Sequence, residues 1–254
     1  MVKGLEKFKT YFHDYTNQYV FIGGTACDIL MDELGAPFRA TKDLDIVLII
    51  EALDASFGER FWQFIEDGGY EHRDKNMGED QFYRFRSPLE SEYPEVIELF
   101  CRKSVDFELK FNTGITPIHI DESIVSLSAI LLNDVYYDLL IRGKRTVYGY
   151  SVIEIEAVIL FKIKAWIDMK HQLESGKHVD LKTVKKHKND VFRLLANVDP
   201  SSKVETSELI RADIRKFVEL VDQDRPDLKN LGIHVIGFNE MIELLENIYL
   251  DLTL

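Results

Sequence analysis

Cysteine is scarce in this chain of 254 residues: only Cys27 and Cys101 are present, without the spacing of a metal-binding set. Both are expected to be buried thiols in a reducing cytoplasm. No run of 18 apolar residues occurs, and the opening MVKGLEKFKTYF lacks a signal-peptide pattern, so neither a membrane helix nor a secretory leader is expected. Positive charge is short as well. The 31 lysines and arginines face 44 aspartates and glutamates, and the net charge of −13 disfavours a protein that coats nucleic acid with its whole surface. A local basic patch remains able to bind one. Internal repeats and low-complexity tracts are absent. What is present, 46% apolar and 30% charged residues, is the composition of a soluble globular protein. The length suffices for one large or two modest domains.

The chain is organised around residues 21–49, FIGGTACDILMDELGAPFRATKDLDIVLI. A short apolar strand ends at Gly23-Gly24, and Thr25 is placed to cap a helix whose apolar stripe is Ala26, Ile29, Leu30 and Leu34. Gly35-Ala36-Pro37 stops that helix. Asp43-Leu44-Asp45 then opens a second strand. Alternation puts Asp43 and Asp45 on one face about 6–7 Å apart, an expensive pair of like charges without a cation between them. Carboxylate oxygens suit Mg²⁺, which leaves its other positions to water and phosphates. A Gly-Gly-Thr turn at a helix start offers N–H groups to phosphate. Arg39 and Lys42, in the loop between, are either further phosphate contacts or solvated charges.

Residues 4–15 have helical spacing at Leu5, Phe8, Tyr11 and Phe12, with His13 on the polar side. Residues 55–67 form an amphipathic helix with Phe57, Phe61, Phe64 and Ile65 inward. Gln81 to Arg86 alternates like a strand, and 94–101, PEVIELFC, is strongly β-prone. Within it Glu98 lies between Ile97 and Leu99, where an acid is costly without a partner. Either this is a solvent-facing edge strand, or Glu98 joins Asp43 and Asp45 in a three-carboxylate metal site. Asp106 and Glu108 are second candidates for that third acid. Residues 117–148 mix short apolar runs with turns, and periodicity does not decide between strand and helix. His119 is read as structural, and Tyr136-Tyr137 with Gly143-Lys144-Arg145 as a hairpin or loop closing a first domain.

From Ser151 the pattern becomes helical. Residues 153–173 are apolar nearly all round and interrupted by Lys162 and Lys164; Lys162 either snorkels or meets an anion. A second helix spans 182–195 and carries Lys182, Lys185, Lys186, His187 and Lys188, a basic cluster that is either a solvated helix end or a triphosphate or nucleic-acid contact. Residues 205–222 and 238–250 read as two more amphipathic helices. The expectation is an α+β protein with a catalytic domain at 1–150 and a helical domain at 151–254.

Gly23-Gly24-Thr25, Arg39-Ala40-Thr41-Lys42-Asp43-Leu44-Asp45 and Ile97-Glu98-Leu99 together resemble the nucleotidyltransferase superfamily with a DNA-polymerase-β-like core. Phe161-Lys162-Ile163-Lys164-Ala165 and Lys188-Asn189-Asp190-Val191-Phe192-Arg193-Leu194 are similar to two further motifs of its AbiEii-type bacterial branch, although Asn189 stands where that branch has a basic residue. The likeness covers about residues 18–195. It implies a mixed β-sheet with flanking helices, followed by a C-terminal helical domain. It also implies transfer of NMP from an NTP to a hydroxyl of an RNA, a protein or a small molecule. In that scheme Asp43 and Asp45 hold Mg²⁺ on the nucleotide, and Glu98 with one of them holds a second ion or accepts the attacking hydroxyl's proton. Gly23, Gly24, Thr25 and Arg39 meet the triphosphate, Lys162 neutralises departing pyrophosphate, and Asp190 orients Lys162 or binds the sugar. The branch includes toxins with a partner antitoxin. A cationic, aminoglycoside-like acceptor would also suit so acidic a site, and a nucleotide-binding module without catalysis is the alternative.

Overall fold

The computed structural model describes residues 2–49, 51–70, 82–101 and 133–251. Asp106, Glu108 and His119, and with them the second candidates for a third acid, lie outside the described residues. The chain divides into two compact units, Met1–Asp121 with Ile141–Glu154, and Glu122–Leu140 with Ile155–Leu254.

The first unit is built on a six-stranded mixed sheet. Its strands are β1 (Tyr19–Phe21), β2 (Asp43–Leu48), β3 (Phe82–Arg86), β4 (Val96–Cys101), β5 (Lys144–Val147) and β6 (Tyr150–Ile153), in the order β3-β4-β2-β1-β6-β5. β2 runs parallel to β4, and β1 to β6; the other pairings are antiparallel. β4 therefore lies between two strands, and Glu98 is 9% exposed, which removes the solvent-facing edge reading. β2 carries two characters in six residues. Asp43 and Asp45 are half-exposed on one face, while Ile46, Val47 and Leu48 are buried, as interior strands of such sheets require.

Helices α1 (Leu5–Phe12) and α3 (Ala55–Gly68) share an aromatic core. The Phe64 ring lies 5.5 Å from Phe12, 5.7 Å from Phe8 and 4.9 Å from Tyr93, centroid to centroid. Such tilted and edge-on contacts add to the area these rings bury. Asp54 starts α3 by accepting the Phe57 N–H at 2.9 Å, and Gly69, at φ 60°, ends it in the left-handed region. Between β1 and β2, α2 (Gly23–Glu33) packs on β2 and on the β5–β6 hairpin.

Two stretches differ from the sequence expectation. Tyr136 and Tyr137 are buried on a helix, α4 (Asp134–Arg142), and residues 150–153 are a strand beside β1 where helix was expected from Ser151. The hairpin itself is present, turning at Tyr148 and Gly149 with φ of 52° and 83°. Four-residue strands carry too little alternation to be told from the start of an apolar helix.

The second unit is helical: part of α4, then α5 (Ile155–Glu174), α6 (Leu181–Leu195), α7 (Glu208–Asp222) and α8 (Phe238–Tyr249). α5 is buried on most sides, with Trp166 fully enclosed 5.1 Å from the Phe217 ring of α7. Asp180 and Ser207 cap α6 and α7 through side-chain oxygens.

Truncating Phe64 to alanine should cost about 3–5 kcal/mol in urea unfolding. The fully exposed Val235 is the control: Val235→Ala should stay within about 0.5 kcal/mol. Equal effects would contradict the packing described.

Candidate active site

The start of α2 is built against the aspartates of β2. Gly23 has φ 60°, and a Cβ there would lie 2.1 Å from Asp45 Oδ2, so no side chain is tolerated at that position. The helix follows Ile22, which has no side chain to cap it. In place of a cap, Asp45 Oδ2 accepts the Gly24 N–H at 2.9 Å, a carboxylate on the positive end of the helix dipole. The Ile22 N–H reaches the Asp45 carbonyl at 3.0 Å, and the Thr25 hydroxyl donates to the Asp43 carbonyl at 2.6 Å. Thr25 is thus not the cap; it sits inside the first turn and ties the helix to β2. The Gly24 N–H and Thr25 hydroxyl, read from sequence as phosphate donors, are directed at the two aspartates' own residues.

Strand register extends this into a row. Asp45 is opposite Glu98 on β4, and Glu98 is opposite Arg84 on β3. Arg84 Nε lies 3.3 Å from Glu98 Oε1. Burial first, then the Asp45 charge and more weakly that of Asp43, push the Glu98 carboxyl up from 4.5 to about 8, against the pull of Arg84; a hydrogen bond with Asp45 adds to the rise. At neutral pH Glu98 therefore keeps a proton between itself and Asp45.

The donor set is carboxylate oxygen throughout, which fits a hard dication such as Mg²⁺. Among the described residues no three His, Cys, Asp or Glu side chains already stand in a ligating arrangement. Asp45 faces Gly24 and Glu98 faces Arg84, so these oxygens would have to turn to take an ion. In the loop before β2, Lys42 pairs with Glu95 at 2.8 Å, and the Arg39 guanidinium lies 5.3 Å from the Phe38 ring centre.

In the second unit the structure brings Lys162 and Asp190 together. Lys162 is 5% exposed on α5 and its Nζ lies 3.2 Å from Asp190 Oδ2 on α6; Arg193 Nη1 is 3.4 Å from the other oxygen. Lys162 thus meets an anion rather than snorkelling, and the anion belongs to the chain. The basic cluster is split by burial. Lys188 turns inward, bonding Asp224 through Oδ1 and the carbonyl at 2.6 Å each, while Lys182, Lys185 and Lys186 are exposed.

Arg84 was not singled out from the sequence. Its pattern was visible, a charge within Phe82-Tyr83-Arg84-Phe85 matching Glu98 within Ile97-Glu98-Leu99, but only the register of β3 on β4 makes them partners.

No protein-family model and no curated protein matches the sequence. Solved structures similar to it include the following three. An antigenic nucleotidyltransferase-like protein from Paracoccidioides brasiliensis has a TM-score of 0.46 at 15% identity, covering 94% of this chain and 98% of that one. The antibiotic-resistance factor ANT(2'')-Ia gives 0.38 at 14%, over 87% and 94%. JHP933 from Helicobacter pylori gives 0.34 at 14%, over 96% and 88%. None reaches a TM-score of 0.5, and the function proposed below rests on side-chain geometry and sequence motifs.

With Glu98 neutral in the fold and ionised more readily when unfolded, its contribution is complete below about pH 4.5 and is lost as pH rises through about 8. Melting temperature in EDTA should therefore fall over that window, and Glu98→Gln should flatten the fall; an unchanged slope would contradict the shared proton. Separately, Asp190→Ala strands Lys162 in the core and should cost about 3–5 kcal/mol in urea unfolding, with Lys162→Met in the same chain recovering part of it. No recovery would show that the pair is not what Asp190 supports.

Proposed function

We propose that this chain is a Mg²⁺-dependent nucleotidyltransferase that moves an NMP from an NTP to a hydroxyl acceptor. The observation that carries the reading is the row Asp45–Glu98 on adjacent parallel strands, with Asp43 on the same face and Asp45 clamped to the glycine start of α2. Asp43, Asp45 and Glu98 are the residues to hold one or two Mg²⁺ ions. Bound there, Mg²⁺ would supply Lewis-acid stabilisation of charge on the transferring phosphoryl group. The acceptor oxygen attacks the α-phosphorus, the bond to the β-bridging oxygen breaks, and the leaving pyrophosphate takes that electron pair. Glu98 in its carboxylate form takes the acceptor's proton, and Arg84 holds it in place. The NTP, with Arg39 and residues 23–25 beside it, completes the substrate side. The AbiEii-like motifs extend the proposal to an RNA, protein or small-molecule acceptor and to a toxin held by an antitoxin.

A second reading, a nucleotide-binding module without catalysis, is favoured by one observation: among the described residues no three carboxylates stand in a ligating arrangement. The two readings separate in one assay. Incubated with labelled NTPs, Mg²⁺ and cell extract, the chain should label an acceptor, and Asp45→Asn should lower that labelling at least about a hundredfold, the scale of losing a group that stabilises transition-state charge. Equal labelling by the variant would reject the carboxylate site.

A further inference from the structure

A cleft of about 740 Å³ lies wholly within the second unit, walled by the end of α5, one face of α6 and the 224–231 segment. Its size is in the range of sites that enclose a small molecule, about 300–1,000 Å³. The lining is unlike the rest of this acidic chain. Lys170, Lys185, Lys188, Arg193 and Arg225 share it with three acids, and Arg193 and Arg225 are themselves paired, with Asp190 and Asp222. The acids are in part already occupied: Asp224 by Lys188, and Asp227 by the backbone N–H and side-chain amide of Asn230. Some of the cations are not. Lys185 has no ion-pair partner among the described residues, and Lys170 rests 5.2 Å over the Trp166 ring, a contact that leaves its ammonium donors available. At the floor Lys188 is 4% exposed, held by Asp224 and thereby immobilised. Between these charges the wall is apolar, with Leu173, Val184 and Leu231.

We propose that this cleft is a binding site for a phosphate monoester carrying a compact apolar body. A phosphate monoester bears about −1.5 to −2 charges near neutrality and several strong acceptor oxygens, matching the two ammonium groups of Lys170 and Lys185 that no acid takes up. The apolar wall takes the body, and the two ammonium groups favour a dianion over a carboxylate of single charge. Every residue of the site is in the second unit, so it stands or falls apart from the carboxylate row.

Calorimetry of the full chain with phenyl phosphate in EDTA tests this, with inorganic phosphate and benzyl alcohol as the two halves of the ligand. Phenyl phosphate should bind more tightly than either. Lys185→Glu should weaken it at least about tenfold, as loss of a charge-assisted hydrogen bond implies, and Asn189→Ala, a neutral change in the same wall, should weaken it less. Lys182→Glu, an equal change of charge outside the lining, should leave it within about twofold, the level of a screened surface charge. Asp45→Asn should bind phenyl phosphate like the parent, which keeps a failure here distinct from a failure of the transferase reading. Absence of binding, equal losses in Lys182→Glu and Lys185→Glu, phosphate binding as well as phenyl phosphate, or loss in Asp45→Asn would each overturn the assignment.

Discussion

The hydrogen bond from Gly24 N–H to Asp45 Oδ2 is the constraint on which the first unit's candidate chemistry depends. It joins a helix that has no cap of its own to a strand whose carboxylate would otherwise repel its neighbours. Gly23 in a left-handed conformation makes the approach possible, because a β-carbon would occupy the space of the carboxylate. The Asp45 carboxylate is then aimed along the row toward Glu98, and parallel pairing of β2 with β4 keeps the two opposite each other.

The second unit shows the same economy with opposite charges. Lys162 and Asp190 are both enclosed, and each would be costly alone. Arg193 gives Asp190 a second cation, and Lys188 with Asp224 repeats the arrangement nearer the surface. Part of what reads in sequence as a basic stripe on α6 is therefore internal ion pairing, and the exposed remainder lines a cleft or faces water.

Much of this was legible in the chain itself. The glycine pair, the alternating aspartates and the lone acid among apolar neighbours each violate a local expectation, and all three converge in the structure. The helices α6, α7 and α8 were legible from amphipathic periodicity over 12–15 residues, and α5 from its sustained apolar run. What was not legible depended on register or on short elements. Arg84 gains its role only from pairing with Glu98 across two strands, and Thr25 left its expected cap position because Asp45 supplied a better acceptor from a distance. The β5–β6 strands are too brief to announce themselves, and Tyr136 sits on a helix from which its hydroxyl donates to Asp213 at 2.8 Å, a partner 77 residues away.

Asp43, Asp45 and Glu98 are proposed to form one cation site. Electron paramagnetic resonance of added Mn²⁺ reads this directly, since the free-ion signal falls as the ion is bound. The purified chain should quench the free signal, Mg²⁺ should restore it by competition, and Asp45→Asn and Glu98→Gln should each leave it largely intact. Quenching unchanged in both variants would contradict the claim.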